Sequence, residues 1–106
     1  MTDSEIRNQI GNNLRFLRTR TFKECKNKKG KVVMRPLTQT ELAQAINVTF
    51  QQIQKYENGI NQVSSVKLYK FYRFFQIPLE YFFDKRLIEN QNFTKLIKEN
   101  VQQNNL

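Results

Sequence analysis

The chain of 106 residues is long enough for one domain, and 39% of its residues are hydrophobic, with 9 Phe and 4 Tyr to form a small core. Its formal net charge is +9, it has no His, and its single Cys25 excludes an internal disulfide framework or a multi-cysteine zinc site. No apolar run reaches the length of a membrane span, and the polar start MTDSEIRNQIG has no apolar signal segment. We therefore expect a cytoplasmic protein that is not an enzyme, binds no metal or cofactor and makes no contact with a membrane.

The first predicted element is a helix over about residues 4–18. Its apolar residues recur every three or four positions and share one face: Ile6, Ile10, Leu14 and Leu17. Residues 19–36 break this pattern, and from 21 to 36 six Lys or Arg stand against a single Glu. Val32, Val33 and Met34 favour extended structure, and Asn27 to Gly30 is a plausible turn. The insertion is interpreted as a basic β-hairpin or ordered loop, and a disordered basic loop fits equally well.

Residues 39–58 predict two short helices joined at Asn47. Apolar residues give each helix an inward face, with Leu42, Ala43 and Ile46 on the first and Ile53 and Tyr56 on the second. Capping residues mark the same boundaries: Thr38 with Glu41 before the first helix, Thr49 before the second and Asn58-Gly59 after it. Two crossing helices joined by a short turn form a helix-turn-helix, whose second helix projects from the surface and fits the DNA major groove.

Two further helices are predicted after this motif. Helix 4 follows a cap at Ser64 or Ser65, and its inner face is formed by Leu68, Phe71, Tyr72 and Phe75. A short fifth helix over residues 79–83 follows Pro78 and closes the core with Leu79, Phe82 and Phe83. Because a helix has about 3.6 residues per turn, the aromatic rings of helix 4 cannot all face inward, and we expect Tyr69 or Phe74 to be exposed or covered.

Residues 6–83 resemble the lambda-repressor/Cro type of helix-turn-helix domain, also called the xenobiotic-response-element family. The similarity runs from LTQTELAQ through KYENG to IPLEYFF and includes the family's most recognisable positions: Gln39, Leu42, Ala43, Val48, Ile53, Glu57, Asn58 and Gly59. It implies an all-α fold, a compact five-helix bundle that usually binds operator DNA as a homodimer. The insertion at 19–36 and a C-terminal tail, 84–106, lie outside the family pattern, so the chain divides into a DNA-binding domain, 1–83, and that tail.

The predicted DNA contacts fall into two groups. Base edges are expected to be read from the start of helix 3 by Phe50, Gln51, Gln52 and Lys55. A glutamine can bind adenine bidentately and a lysine can reach guanine, whereas Phe50 would lie against a thymine methyl or, alternatively, belong to the core. The DNA backbone is expected to contact Gln39, Thr49, Asn58, Asn61, Gln62, Lys28, Lys29, Lys31 and Arg35.

Two residues of the motif are expected to have structural roles. A carboxylate beside phosphates would be repelled, so Glu57 should turn inward and pair with Arg15 or Arg18. By the family resemblance, Gln39 also braces the first turn of helix 3. Helix 3 would then be held in place by its neighbours while its outer face reads DNA.

Three functions are compatible with this motif. The favoured one is a nucleoid-associated transcriptional regulator that binds double-stranded DNA, most simply a repressor. The alternative is an antitoxin or protein-interaction adaptor whose DNA binding serves autoregulation and whose tail engages a protein partner. RNA binding is disfavoured because it needs exposed aromatic stacking platforms, and Phe50 alone is too little.

The tail carries an apolar stripe in an otherwise polar segment: Leu87, Phe93, Leu96, Ile97 and Val101. The stripe can fold back on its own chain or pack as a helix against a second subunit. The family's habit of pairing near its last helix favours the second packing, and a homodimer is therefore expected. A frayed tail remains the alternative, because the final residues 102–106 have little to bury.

Overall fold

The computed structural model describes residues 1–89. Its elements in chain order are α1 (Asp3–Thr19), β1 (Phe22–Lys26), β2 (Val32–Pro36), α2 (Gln39–Ile46), α3 (Phe50–Glu57), α4 (Ser65–Phe75), a 3-10 helix (Leu79–Phe82) and the single turn α5 (Arg86–Glu89). The first four predicted helices are confirmed as α1 to α4. Across the described part of the chain, each helix is too short or too polar to span a bilayer.

The predicted all-α, five-helix bundle is wrong, because the chain has four main helices and a two-stranded antiparallel sheet. The expected fifth helix over 79–83 is a single 3-10 turn. Gln76 ends α4 in a left-handed conformation with φ 54°, and Ile77 then enters the core, so the following turn buries only Phe82. Leu79 and Phe83, which the sequence predicts to close the core, are exposed instead.

The insertion between α1 and α2 is a β-hairpin, the first of its two sequence interpretations. Its strands pair antiparallel, and the turn lies at Asn27 to Gly30 as predicted. The side-chain oxygen of Asn27 accepts hydrogen bonds from the backbone N–H groups of Lys29 (2.9 Å) and Lys31 (3.0 Å). Gly30 has φ 75°, a conformation that suits glycine because a Cβ atom would be strained there. Local turn chemistry therefore fixes the far end of the hairpin.

The helix-turn-helix unit, residues 38–59, has the caps that its sequence predicts. The Thr38 hydroxyl accepts the N–H of Glu41 (3.1 Å), and the Glu41 carboxylate accepts the N–H of Thr38 (3.0 Å), which makes a capping box at the start of α2. Asn47 at the turn is left-handed with φ 63°, and the Thr49 hydroxyl accepts the N–H of Gln52 (3.2 Å) at the start of α3. Backbone N–H groups at the start of both helices are thus bound by side chains only three positions away in the sequence.

The core lies between the four main helices and the 3-10 helix, and its most buried apolar side chains are Leu14, Leu17, Leu42, Ile46, Ile53, Phe71, Phe75, Ile77 and Phe82. The inner face of α4 is narrower than predicted. Phe71 and Phe75, one turn apart, are fully buried, whereas Leu68 is only partly buried. Tyr72, predicted on the inner face, lies at the surface with its ring centroid 6.3 Å from that of Tyr69.

A buried asparagine joins α1 to the end of the domain. Asn13 is 0% exposed, and its Nδ2 donates to a cluster of carbonyl oxygens at 2.8–3.0 Å, those of Tyr81, Phe82 and Asp84. Backbone carbonyls at the end of the 3-10 helix and just after it are thereby satisfied inside the protein. A polar residue on the apolar face of α1 gives no sequence signal for this role, and the contact was not predicted.

Candidate nucleic-acid interface

Helix α3 has one buried and one exposed face. Ile53, Tyr56 and Glu57 are buried, and none is more than 4% exposed. The exposed face carries Phe50, Gln51, Gln54 and Lys55. Phe50 is 39% exposed and lies outside the core cluster, so its side chain is accessible to a partner. Three of the four predicted base-reading residues therefore share the surface of α3 that faces away from the protein.

Gln52, the fourth predicted base-reading residue, lies half-buried at the edge of this face. Its side-chain oxygen accepts a hydrogen bond from Nδ2 of Asn61 at 3.4 Å. This contact joins the start of α3 to the loop that follows the helix. Thr49, just before α3, and Gln62, just after Asn61, are both exposed, and both are predicted contacts to the DNA backbone. Gln51 is consequently more accessible at the surface than Gln52.

The buried carboxylate of Glu57 is the centre of a polar network that fixes α3. Arg18 donates to it through Nε (2.7 Å to Oε2) and Nη2 (3.0 Å to Oε1), and Arg15 Nε lies 3.5 Å from Oε1. The side chain of Glu57 is 0% exposed, which requires this charge to be compensated. The predicted inward turn of Glu57 is confirmed, and both candidate arginines take part.

Gln39 contacts the last residue of α3, not the first turn that the resemblance implied. Its Nε2 donates to Oε1 of Glu57 at 2.9 Å. The buried carboxylate needs a donor at this point, and the start of α2 lies beside the end of α3. The amide of Gln39 is thus used inside the protein, where it helps to hold the end of α3.

Helix α1 packs closely against the end of α3. A methyl group at Gly11 would overlap the carbonyl oxygens of Tyr56 and Glu57, so only glycine fits at this crossing. Arg7 Nε donates to the carbonyl oxygen of Gly59 (3.3 Å), and Nη2 of Arg15 donates to Oδ1 of Asn58 (2.7 Å). The sequence analysis missed Gly11; the available signal was a glycine inside an amphipathic helix, where it costs helix stability and needs a packing reason.

Two basic residues of the hairpin are bound to Glu41 at the start of α2. Arg35 binds it bidentately, with Nη1–Oε1 at 2.6 Å and Nη2–Oε2 at 2.9 Å, and Lys23 Nζ lies 3.0 Å from Oε2. The Arg35 guanidinium, together with the Thr38 N–H, holds the pKa of Glu41 well below its ordinary value of 4.5. The same pair raises the pKa of Arg35. Arg35, predicted to bind the DNA backbone, is therefore already engaged within the protein.

The other hairpin lysines are exposed at and beside the turn: Lys26, Lys28, Lys29 and Lys31. We call them the turn lysines. Within residues 1–89, none of the ion pairs includes any of them. The hairpin is thus electrostatically divided, with compensated charge at its base and uncompensated positive charge at its tip.

Comparison with known proteins finds a family model and several relatives that match the central segment. Residues 35–82 match the helix-turn-helix family model. An uncharacterized transcriptional regulator in the ATPase CF(0) region of Rhodospirillum rubrum is 49% identical over 47 residues, 44% of this chain and 44% of the relative. An uncharacterized HTH-type transcriptional regulator of Sinorhizobium fredii is 43% identical over 51 residues, 48% of this chain and 36% of the relative.

A third relative, an uncharacterized HTH-type transcriptional regulator of Sinorhizobium medicae, is 38% identical over 48 residues, 45% of this chain and 34% of the relative. The chain therefore spans less than half the length of the curated relatives that it matches. The matched residues include both helices of the motif, their caps and the Glu57 network partner Gln39. Residues 35–82 thus match a family model of the lambda-repressor/Cro-like helix-turn-helix type, the type that the sequence resembles.

Proposed function

We propose that the protein is a transcriptional regulator that binds double-stranded DNA sequence-specifically and acts as a repressor by occluding a promoter. The observation that carries this proposal is the division of α3. Its inner face is fixed on α1 and α2 through Glu57, and its outer face presents polar and aromatic side chains to solvent. A rigidly held helix with an accessible outer face can enter a major groove in one orientation.

Base recognition is assigned to the outer face of α3. Gln51 can bind N6 and N7 of adenine with its amide, and Lys55, one turn further on, can reach O6 and N7 of guanine. Phe50 offers an apolar surface for a thymine methyl. Gln52 is half-buried and bound to Asn61, so its contribution would be secondary or would require that hydrogen bond to break.

The ends of α3 supply candidate contacts to the DNA backbone. Thr49 precedes the helix and is exposed, while Asn58, Asn61 and Gln62 follow it. Asn58 already accepts from Arg15 through its oxygen, so it would offer phosphate its Nδ2 group. These uncharged contacts would set the position of α3 on the duplex without reading sequence.

A homodimer would give the reading helix its second half-site. Two-fold operators place two recognition helices about 34–36 Å apart. The outer surface of α4 supports this proposal, since Val66, Tyr69 and Tyr72 are 63%, 59% and 37% exposed. The remaining evidence for pairing, the apolar stripe from Leu87 to Val101, lies outside the residues whose side chains the structure describes.

Selection of bound sequences from random duplex DNA with the full chain tests the proposal. We expect one sequence to be enriched, as two half-sites about one helical turn apart if the protein binds as a dimer. Gln51→Ala should then weaken binding to this sequence by about 1–3 kcal/mol and relax one base position. Gln54→Ala is the matched control, because Gln54 lies on the exposed face but was assigned no contact.

Two results would contradict the proposal. One is a failure to enrich any sequence, together with binding to single-stranded RNA that competes with duplex DNA. The other is an equal loss of affinity for selected and random duplexes in Gln51→Ala, which would remove α3 from base recognition.

A further inference from the structure

We propose that the β1–β2 hairpin is a second DNA-contacting element, which binds backbone phosphates beside the site read by α3, and that Glu41 is its positioning residue. This inference rests on the proposed function. The hairpin is an insertion between α1 and α2, and it is tied to the rest of the protein at its base. Its tip carries the turn lysines, which are exposed.

The distribution of charge indicates an acidic partner for the tip. At the base, Lys23 lies opposite Arg35 in the strand register, and both bind Glu41. Toward the turn, the only acidic residue of the hairpin is Glu24, against four turn lysines. A second copy of the chain would oppose like charges at this surface, whereas phosphates neutralise them and release counterions. Among possible occupants, a nucleic-acid backbone is the one that the charge favours.

The base of the hairpin is attached close to the end of α3. Arg35 is held by Glu41 in the first turn of α2, and Gln39 in the same turn contacts Glu57 at the end of α3. Backbone hydrogen bonding closes the base, with the N–H of Leu37 donating to the carbonyl oxygen of Thr21 at 2.8 Å. Since a strand advances about 3.3 Å per residue, strands of this length carry the turn roughly 17 Å from the base. On this proposal, that span carries the turn lysines to phosphates that flank the contacts of α3.

One face of the hairpin also offers apolar contact. Val32 and Met34 alternate along β2 and so point to the same side, and they are 58% and 48% exposed. Lys26 lies opposite Val32 in the register and shares that side, as does Glu24 opposite Met34. Val32 and Lys26, at the end nearer the turn, suit a DNA backbone, in which sugars alternate with phosphates.

Glu41 is placed to control where the tip points. It binds Arg35 and Lys23 while it also completes the capping box of α2 with Thr38. Glutamine can replace glutamate in a capping box but cannot form ion pairs. Glu41→Gln should therefore keep α2 capped and release the base of the hairpin, which separates the two roles of this residue.

The experiment measures the salt dependence of binding to the selected duplex and to random duplex DNA. Variants are Lys29→Gln/Lys31→Gln, Glu41→Gln and the charge-matched control Arg73→Gln/Lys85→Gln, whose residues lie at the end of α4 and beyond it. Each phosphate contact contributes about 0.9 to the slope of log K against log salt, so losing two should flatten it by about 1.8. We expect this change in the hairpin variant, equally for both duplexes, and no change in the control.

Glu41→Gln gives the sharper result, because it raises the net charge by one. If its charge acted only through the general field of the protein, binding to DNA would become tighter. If Glu41 positions the hairpin, both affinity and slope should fall while the base preference at Gln51 stays unchanged. Thermal unfolding of each variant confirms that the domain remains folded.

An unchanged slope in Lys29→Gln/Lys31→Gln would overturn the phosphate-binding role of the hairpin. Tighter binding by Glu41→Gln would overturn its positioning role. In either case, selective binding that still depends on Gln51 would leave the proposed function intact. A wild-type chain that binds no duplex DNA would instead refute the proposed function itself, and with it the role of the hairpin.

Discussion

The helix-turn-helix unit and the hairpin are each anchored by a glutamate that binds an arginine bidentately, but the two pairs lie in different environments. The side chain of Glu57 is 0% exposed and pairs with that of Arg18, which is 14% exposed. The side chain of Glu41 is 15% exposed and pairs with that of Arg35, which is 38% exposed. Breaking a buried pair is costly because a charge is left without a partner, whereas pairs in contact with water contribute little to stability. Helix α3 is thus fixed by a buried pair, and the hairpin by a pair that water can replace.

This difference suits the two proposed tasks. Hydrogen bonds to base edges need fixed geometry, and packing around Glu57 supplies it. Phosphate contacts tolerate variation in geometry because they depend mainly on charge. A hairpin that can adjust around its base would still neutralise phosphates. Stability measurements can test whether the two regions are really anchored in such different ways.

The largest expected effect comes from comparing two glycines. At Gly11, an added Cβ would overlap backbone carbonyl oxygens of α3, which cannot move aside independently. Gly11→Ala should therefore reduce the free energy of unfolding by about 3 kcal/mol or more. At Gly30, a Cβ meets no atom within 4 Å, and only the positive φ is unfavourable, so Gly30→Ala should cost about 1 kcal/mol. Urea denaturation gives both values, and equal losses would show that the two regions are not anchored differently.

The second comparison replaces the two glutamates. Glu57→Gln removes the charge that compensates Arg18 inside the protein and should cost about 2–3 kcal/mol, since Arg18 keeps 14% of its surface in water. Glu41→Gln should cost less, because its partners can turn to solvent. Chemical denaturation of both variants measures the difference. A greater loss for Glu41→Gln would mean that the hairpin stabilises the domain as a whole.

The sequence predicted those parts of the fold that depend on neighbouring residues. The caps at Thr38 and Thr49 and the turn at Asn47 were all found, because each satisfies backbone groups within a few positions. The prediction of a fifth helix was wrong, because Ile77 occupies the core in place of Leu79 and Phe83. Tertiary packing determines which of these apolar residues is buried. Neighbouring sequence contains no information about which of two apolar residues will be buried by a distant helix.

The candidate site shows the same limit. The inward turn of Glu57 followed from its charge and was confirmed, and the exposure of Gln51 and Lys55 followed from helical periodicity. The ion pair between Arg35 and Glu41 was not predicted. It joins the hairpin to α2 and depends on how β1 pairs with β2, which the sequence did not determine. Contacts to DNA from any of these residues remain predictions.

The smallest expected effect is a dependence of stability on pH that belongs to the hairpin. Arg35 holds the pKa of Glu41 below its ordinary value of 4.5, so the folded protein keeps this carboxylate ionised at pH values where the unfolded chain protonates it. Unfolding then takes up a proton, and stability rises with pH across this interval. The contribution of Glu41 is complete above about pH 4.5 and is lost progressively as the pH falls toward the lowered pKa.

Urea denaturation of the wild type and of Glu41→Gln between pH 3 and pH 7 tests this dependence. We expect the difference between the two proteins to be constant above about pH 4.5 and to shrink below it, because the unfolded wild-type chain then gains a proton at Glu41 and is stabilised, whereas the variant has no such group. Asp84→Asn is the control: Arg86 also lowers the pKa of Asp84, so this variant should remove a separate part of the acid sensitivity. If the difference between wild type and Glu41→Gln did not change with pH, the carboxylate would be anchoring the hairpin through its shape and hydrogen bonds, not through its charge.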